Sequence, residues 1–238
     1  MLLSWNEDST NMYSGILGQW RQLNYQLNLW ISCLHKIVPH PVSVDYNTAV
    51  SHIDFGPSSL TFDSYFTAQG LLHFWAGKVL LYDALRGALR WILEFPAEET
   101  LPILTPLPTI LYAEDHIAHD AAIADALSGD LTLCLALVQQ IQHHTARSIR
   151  KGMRYIWVSD FGMLPQFRAA TPLVVATQYL RNIGDEAEVW HCEKAAKYFE
   201  EKKIAVGLFI ESCAEEWGNQ VKVKREGEGV TLQELELG

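Results

Sequence analysis

The densest set of side chains able to do chemistry is the run Glu114-Asp115-His116-Ile117-Ala118-His119-Asp120, with Asp125 beyond it. On a helix His116, His119 and Asp120 stand at i, i+3 and i+4, so two imidazoles and a carboxylate share one face, a donor set suited to a divalent transition metal. The same residues also suit a solvated helix face whose acids lie near the positive N-terminal end. One local run needs a partner ligand from elsewhere. The cysteines offer none: Cys33, Cys134, Cys192 and Cys213 lie far apart and form no CxxC or Cys/His spacing. No metal and no cofactor is therefore assigned.

A second set, His73, Lys78, Tyr82, Asp83, Arg86 and Arg90, interrupts an otherwise apolar segment. A charge inside a buried helix is costly unless paired. Asp83 and Arg86, three residues apart, can pair with each other, and Lys78 can carry its ammonium out to water along its stem. The functional alternative is a pocket between helices, where a few polar groups orient a small ligand in an apolar cavity. Positions 82, 83 and 86 lie within about one turn and can share a face, and His73, roughly two to three turns away, would mark the far end of that pocket. If Asp83 is free of Arg86 and faces a cavity, it is an acid or base and Tyr82 a proton donor, the one catalytic pair the sequence offers. Trp75, Tyr155 and Trp157 complete the candidate ligand-binding set. The last two stand at a helix end leading into a loop with Asp160 and Phe161, where ligand contacts are common; aromatic packing beneath that loop is the structural alternative. His143 and His144 point about 100° apart on a helix and belong to the surface or the edge of the core. No GxSxG, phosphate loop, dinucleotide fingerprint or Cys-His nucleophile context is present, which disfavours ordinary hydrolase, kinase and dehydrogenase chemistry.

These residues need a frame to position them, and the frame reads as helical. Apolar side chains recur at helical spacing over 14–36 (Ile16, Leu17, Trp20, Leu23, Leu27, Trp30, Leu34), with Ser14 placed as an N-cap. Pro39, Pro41, Gly56 and Pro57 make 37–60 a long connecting loop. Residues 62–94 contain no proline and are apolar on nearly every side between Leu71 and Leu85, the pattern of a central buried helix with Trp75 inside it. Further helices are expected over 109–127, over 131–155 with Asp130 as cap, over 170–181, from Asp185 to Lys203, and over 207–217. Arg147, Arg150, Lys151 and Arg154 fall near the expected end of the fourth helix, where the dipole favours cations and no ligand is required. Strand signals are nearly absent, the alternation at 221–224 being too short and isolated to make a sheet. The expected architecture is an all-α bundle of about seven helices around a long buried central one, with 1–217 a single helical domain and 218–238 a polar C-terminal tail.

Composition narrows the partners. The 238 residues carry 18 Lys and Arg against 28 Asp and Glu, a net charge of −10, so direct nucleic-acid binding is not expected of a chain this short of bases. At 49% apolar and 19% charged residues the chain is no disordered segment. No stretch approaches the roughly 18 to 20 apolar residues of a spanning helix, and the first eight residues have neither the basic nor the apolar region of a secretory signal. An intracellular protein with no membrane partner is expected.

In chain order, LNLWISCLHKIVPHP, AQGLLHFWAGKVLLYDALRGAL, HHTARSIRKGMRYI, ATPLVVATQYL and EVWHCEKAAKYFEEKKIAVG form a series. It resembles the C-terminal helical domain of fungal-specific zinc binuclear-cluster transcription factors over roughly residues 15–215. Phe74-Trp75 match that family's aromatic-Trp pair, Ala146, Arg147, Ile149, Arg150 and Tyr155 its small and basic residues before a tyrosine, and Pro172-Leu173 its Pro-Leu segment. The six clustered cysteines and basic linker of the family's DNA-binding part are lacking. The resemblance implies a regulatory, effector-sensing helical domain without its own DNA-binding cluster, open to a small-molecule ligand and nuclear. The alternative is a small-molecule-converting enzyme of fungal specialised metabolism, of cyclase or isomerase type and cytoplasmic, using a pocket in the same helical frame.

Overall fold

The computed structural model describes residues 7–45, 58–93, 104–158 and 163–201. They form six helices, α1 (Glu7–Ile37), α2 (Tyr65–Leu93), α3 (Ala113–Ala126), α4 (Leu131–Val158), α5 (Met163–Asn182) and α6 (Glu186–Glu201), with two four-residue strands, β1 (Val42–Asp45) and β2 (Ser59–Phe62). The fold is all-α. The expected helix at 207–217, the polar tail at 218–238, the alternation at 221–224, and Asp160 and Phe161 lie outside the described residues.

The proline-free segment forms the central helix, as its all-round apolar pattern requires. Ser64 opens α2 by accepting the Thr67 N–H on its Oγ at 3.2 Å, and α2 buries Leu71, Leu72, Phe74, Trp75, Val79, Tyr82, Leu85 and Leu89. The helix α4 runs antiparallel to it. Leu72 faces Gly152, and the Gln142 amide donates to the Val79 carbonyl at 3.0 Å. Alongside, α5 runs parallel to α2, with Arg168 bonded to Gln69 and the Arg86 guanidinium lying over the Tyr179 ring. On another side α1 brings Trp20 to Tyr82 and stacks Trp30 on Phe74, with ring centroids 6.3 and 5.7 Å apart.

Helix ends follow local chemistry. Asp130 and Asp185 accept the N–H groups of Leu133 and Glu188, capping α4 and α6 as expected. Gly184, at φ +74°, closes α5 with an Asp185 N–H to Leu180 carbonyl bond of 3.0 Å. Several boundaries differ from the sequence reading. Ser14 does not cap α1, which already runs from Glu7, because no glycine or proline interrupts 7–14. Next, α5 begins at Met163: Pro165 falls in its first turn, where the missing N–H has no helical partner to lose. Finally, the expected loop at 37–60 contributes strands.

That last difference has a clear origin. β1 and β2 pair antiparallel, Val42 opposite Phe62 and Asp45 opposite Ser59. Val42, Leu60 and Phe62 are buried, while Ser43 and Thr61 between them join hydroxyls at 2.6 Å. Runs of four residues are too brief for their alternation to register as a pattern.

The buried apolar residues form two clusters. One gathers Ile31, Leu71, Trp75, Val79 and Ala146 with α5, α6 and the hairpin. The other gathers Trp20, Tyr82, Leu85, Ile123, Val138 and Ile141. Between them lies a layer of buried polar side chains supplied by four helices: Asn24, Lys78, His116, Asp120, Gln142 and Thr145.

Candidate functional site

The polar layer is built on Lys78, whose position on α2 would be apolar by periodicity and whose side chain is fully buried. The expectation that it reaches water is incorrect: α1 and α3 cover it from both sides. An ammonium has three N–H donors, and three acceptors meet them, Asn24 Oδ1 at 2.5 Å, Asn28 Oδ1 at 2.9 Å and Asp120 Oδ2 at 2.7 Å. Asp120 is itself fully engaged, taking the Asn28 amide on Oδ2 and the Tyr82 hydroxyl on Oδ1. Burial lowers the Lys78 pKa, and the Asp120 carboxylate works against that shift. Burial and the same carboxylate push the Tyr82 phenol well above its ordinary range, so it stays a donor.

His116 differs from its neighbours. Its ring is 2% exposed, yet neither nitrogen has a hydrogen-bond partner among the described residues. Burial first, then the Lys78 ammonium, hold its pKa well below the usual value, so the ring is neutral. It meets Phe74 in a T-shaped contact, ring centroids 5.1 Å apart.

Phe74 is the wall between this layer and a surface cleft of about 460 Å³ between α1 and α2, lined also by Leu27, Trp30, Phe66, Gln69, Gly70 and His73. The Lys78 ammonium lies 5.7 Å from the Phe74 ring centroid. Trp30 can lie along α2 because position 70 is glycine: a Cβ there would stand 3.0 Å from the indole. Phe66 projects beside the cleft, 79% exposed. His73 is exposed, with Nδ1 2.9 Å from the Gln69 carbonyl oxygen.

The structure separates the other predicted residues. Tyr82 and Asp83 do not converge on one pocket; successive helical positions diverge by about 100°, and Tyr82 faces α1 and α3 while Asp83 faces α5 beside Tyr179. Nor is Asp83 free, since it pairs with Arg86 and accepts from Gln142 at 3.3 Å. The condition for that catalytic pair is not met. Trp75 is buried against Phe62, Trp157 is buried too, and Tyr155 meets Phe62 edge-on at 5.3 Å. Trp75 and Tyr155 thus pack against the hairpin residue Phe62, and Trp157 belongs to the same buried cluster. His116, His119 and Asp120 share a helix but not a ligand set, because Asp120 is held by Lys78 and His119 Nδ1 lies 2.6 Å from the Asp115 carbonyl. No group of three or more His, Cys, Asp or Glu among the described residues is arranged to hold a metal ion.

Asn24 and Asn28 are the residues the sequence reading missed. They lie at i and i+4 on the apolar stripe of α1 between Trp20 and Ile31, and that interruption was the available signal. No helix among the described residues is long and apolar enough to cross a membrane. No family model, curated protein or solved structure matches the chain.

Proposed function

We propose that the chain is an effector-sensing regulatory domain of the type its sequence resembles, in which a small aromatic molecule occupies the α1–α2 cleft. The observation that supports this reading is the double role of Phe74, which lines the cleft and also contacts the Lys78 ammonium and the His116 ring. The cleft is of ligand size, mostly apolar, with Gln69 and His73 as its polar groups. A ligand stacked between Trp30 and Phe66 displaces Phe74, alters the cover over the ion pair and so shifts the free energy of α1 docking. Differential contact of this kind is what a regulatory ligand requires.

The test uses the full chain and 2-naphthol as an apolar aromatic probe. Saturable quenching of tryptophan fluorescence is expected, lost in Gly70→Leu, whose side chain fills the cleft. With the chain fused to a heterologous DNA-binding module, the probe is expected to change reporter output, and Asn28→Leu to abolish that change while binding persists. Non-saturable quenching, or quenching unaffected by Gly70→Leu, overturns the reading. Conversion of the probe to a product, lost on heating, moves the protein to the enzyme class instead.

A further inference from the structure

Four of the chain's 18 Lys and Arg fall within the eight residues 147–154: Arg147, Arg150, Lys151 and Arg154. The helix dipole does not account for them. α4 continues to Val158 and has no basic residue in its last turn, and the dipole's influence fades within a turn of the end. Internal pairing accounts for part of them. Glu188 of α6 accepts from Arg147 Nε at 2.8 Å and from Arg150 Nε at 2.6 Å, and the Ser58 carbonyl and Ser59 hydroxyl accept from Arg150 and Arg154 at 3.4 and 3.2 Å. The two arginines in turn draw the Glu188 pKa below its ordinary value against the effect of burial.

What remains is only partly compensated. Lys151 makes no hydrogen bond or ion pair among the described residues. Arg147, 47% exposed, spends only its Nε on Glu188. Burial lowers the Lys151 pKa, and the Arg150 and Arg147 guanidiniums lower it further against the opposing pull of the Glu188 carboxylate. Arg147, Lys151 and Arg154 stand at i, i+4 and i+7, a single helix face about 10 Å long at 1.5 Å per residue. Two negative groups a few ångströms apart fit that spacing better than one. A long polyanion such as duplex DNA would meet the field of a chain of net charge −10, whereas a small anion meets mainly the stripe.

We propose that this face of α4 binds a small anion with two or more charged groups, a diphosphate or a polycarboxylate, held by Lys151 between Arg147 and Arg154, with Glu188 orienting the Arg147 and Arg150 side chains. The site shares no residue with the α1–α2 cleft and stands independently of it.

Calorimetric titration of the full chain with pyrophosphate, citrate and inorganic phosphate at 150 mM salt tests it. One saturable site per chain is expected for pyrophosphate or citrate, and whichever binds more tightly identifies the phosphate or carboxylate class. Inorganic phosphate is expected to bind about tenfold more weakly, having one charged group to share among the cations. Lys151→Gln and Arg154→Gln are each expected to weaken the tighter anion about tenfold. Without anion, Lys151→Gln is expected to raise Tm by relieving like-charge crowding, which also shows that the variant folds. The absence of a saturable site, or equal affinity in the wild type and folded Lys151→Gln, overturns the proposal.

Discussion

One lysine among the described residues sits in a buried ion pair. Lys78 is fully buried with all three N–H donors taken, and removing one member of such a pair leaves the other charge stranded in low dielectric. Lys78→Met is expected to destabilise by about 3 to 5 kcal/mol in urea unfolding. Adding Asp120→Leu is expected to restore part of that loss; a double variant no more stable than the single one would show that the penalty is not the stranded carboxylate. His116 makes the opposite prediction, about acid. Its folded pKa lies below the unfolded value of 6.5, so below that pH the unfolded chain binds a proton that the folded chain refuses. Its contribution is fully present above about pH 6.5 and shrinks as pH falls, by up to about 1.4 kcal/mol per unit. Burial also lowers the pKa of His35, His143 and His144, which steepens the loss in the same direction. Urea midpoints from pH 7.5 to 5.0 should therefore fall, and His116→Leu should flatten the slope; parallel slopes would assign the effect elsewhere. At this scale the sequence is only half legible. The pairing of Asp83 with Arg86 follows from spacing, whereas the partners of Lys78 come from helices α1 and α3, 42 to 54 residues away along the chain, and no local pattern encodes such a meeting.

Helices were readable where periodicity was long and caps were standard. The span of α2 and the Asp130 and Asp185 caps all follow from residues within one or two turns. The hairpin did not, because what stabilises it is a tertiary contact: Phe62 and Leu72 close on Gly152, where a Cβ would come within 2.9 and 3.0 Å of them. An aromatic ring and a core leucine cannot both retreat, so Gly152→Ala is expected to destabilise by about 1 to 3 kcal/mol despite raising helix propensity. Chemical denaturation checks this, with Gly87→Ala in α2, which meets nothing within 4 Å, as the control expected to be neutral or stabilising. The α4 stripe shows the complementary difficulty. An end placed at about residue 155 rather than Val158 was enough to make the dipole seem a sufficient account of its charges.

For the molecule as a whole, charge sets one expectation and core layout another. With a net charge of −10, no sequence-selective shift of duplex DNA is expected in gel-shift assays even at low salt, where electrostatic attraction is strongest; a selective shift would mean that the α4 stripe reads a long polyanion after all. The polar layer between the two apolar clusters bears on how the parts can move. Two greased helices can slip past one another in small steps. Here a slip of α1 by one turn, about 5.4 Å, would put one asparagine in the other's place and leave the Lys78 ammonium with one amide acceptor instead of two. A shift of less than a turn would draw both amides out of hydrogen-bonding reach of the ammonium, so leaving the seated register costs these bonds at the first step. Whatever acts on the cleft beside it would be answered as a switch rather than as a dial.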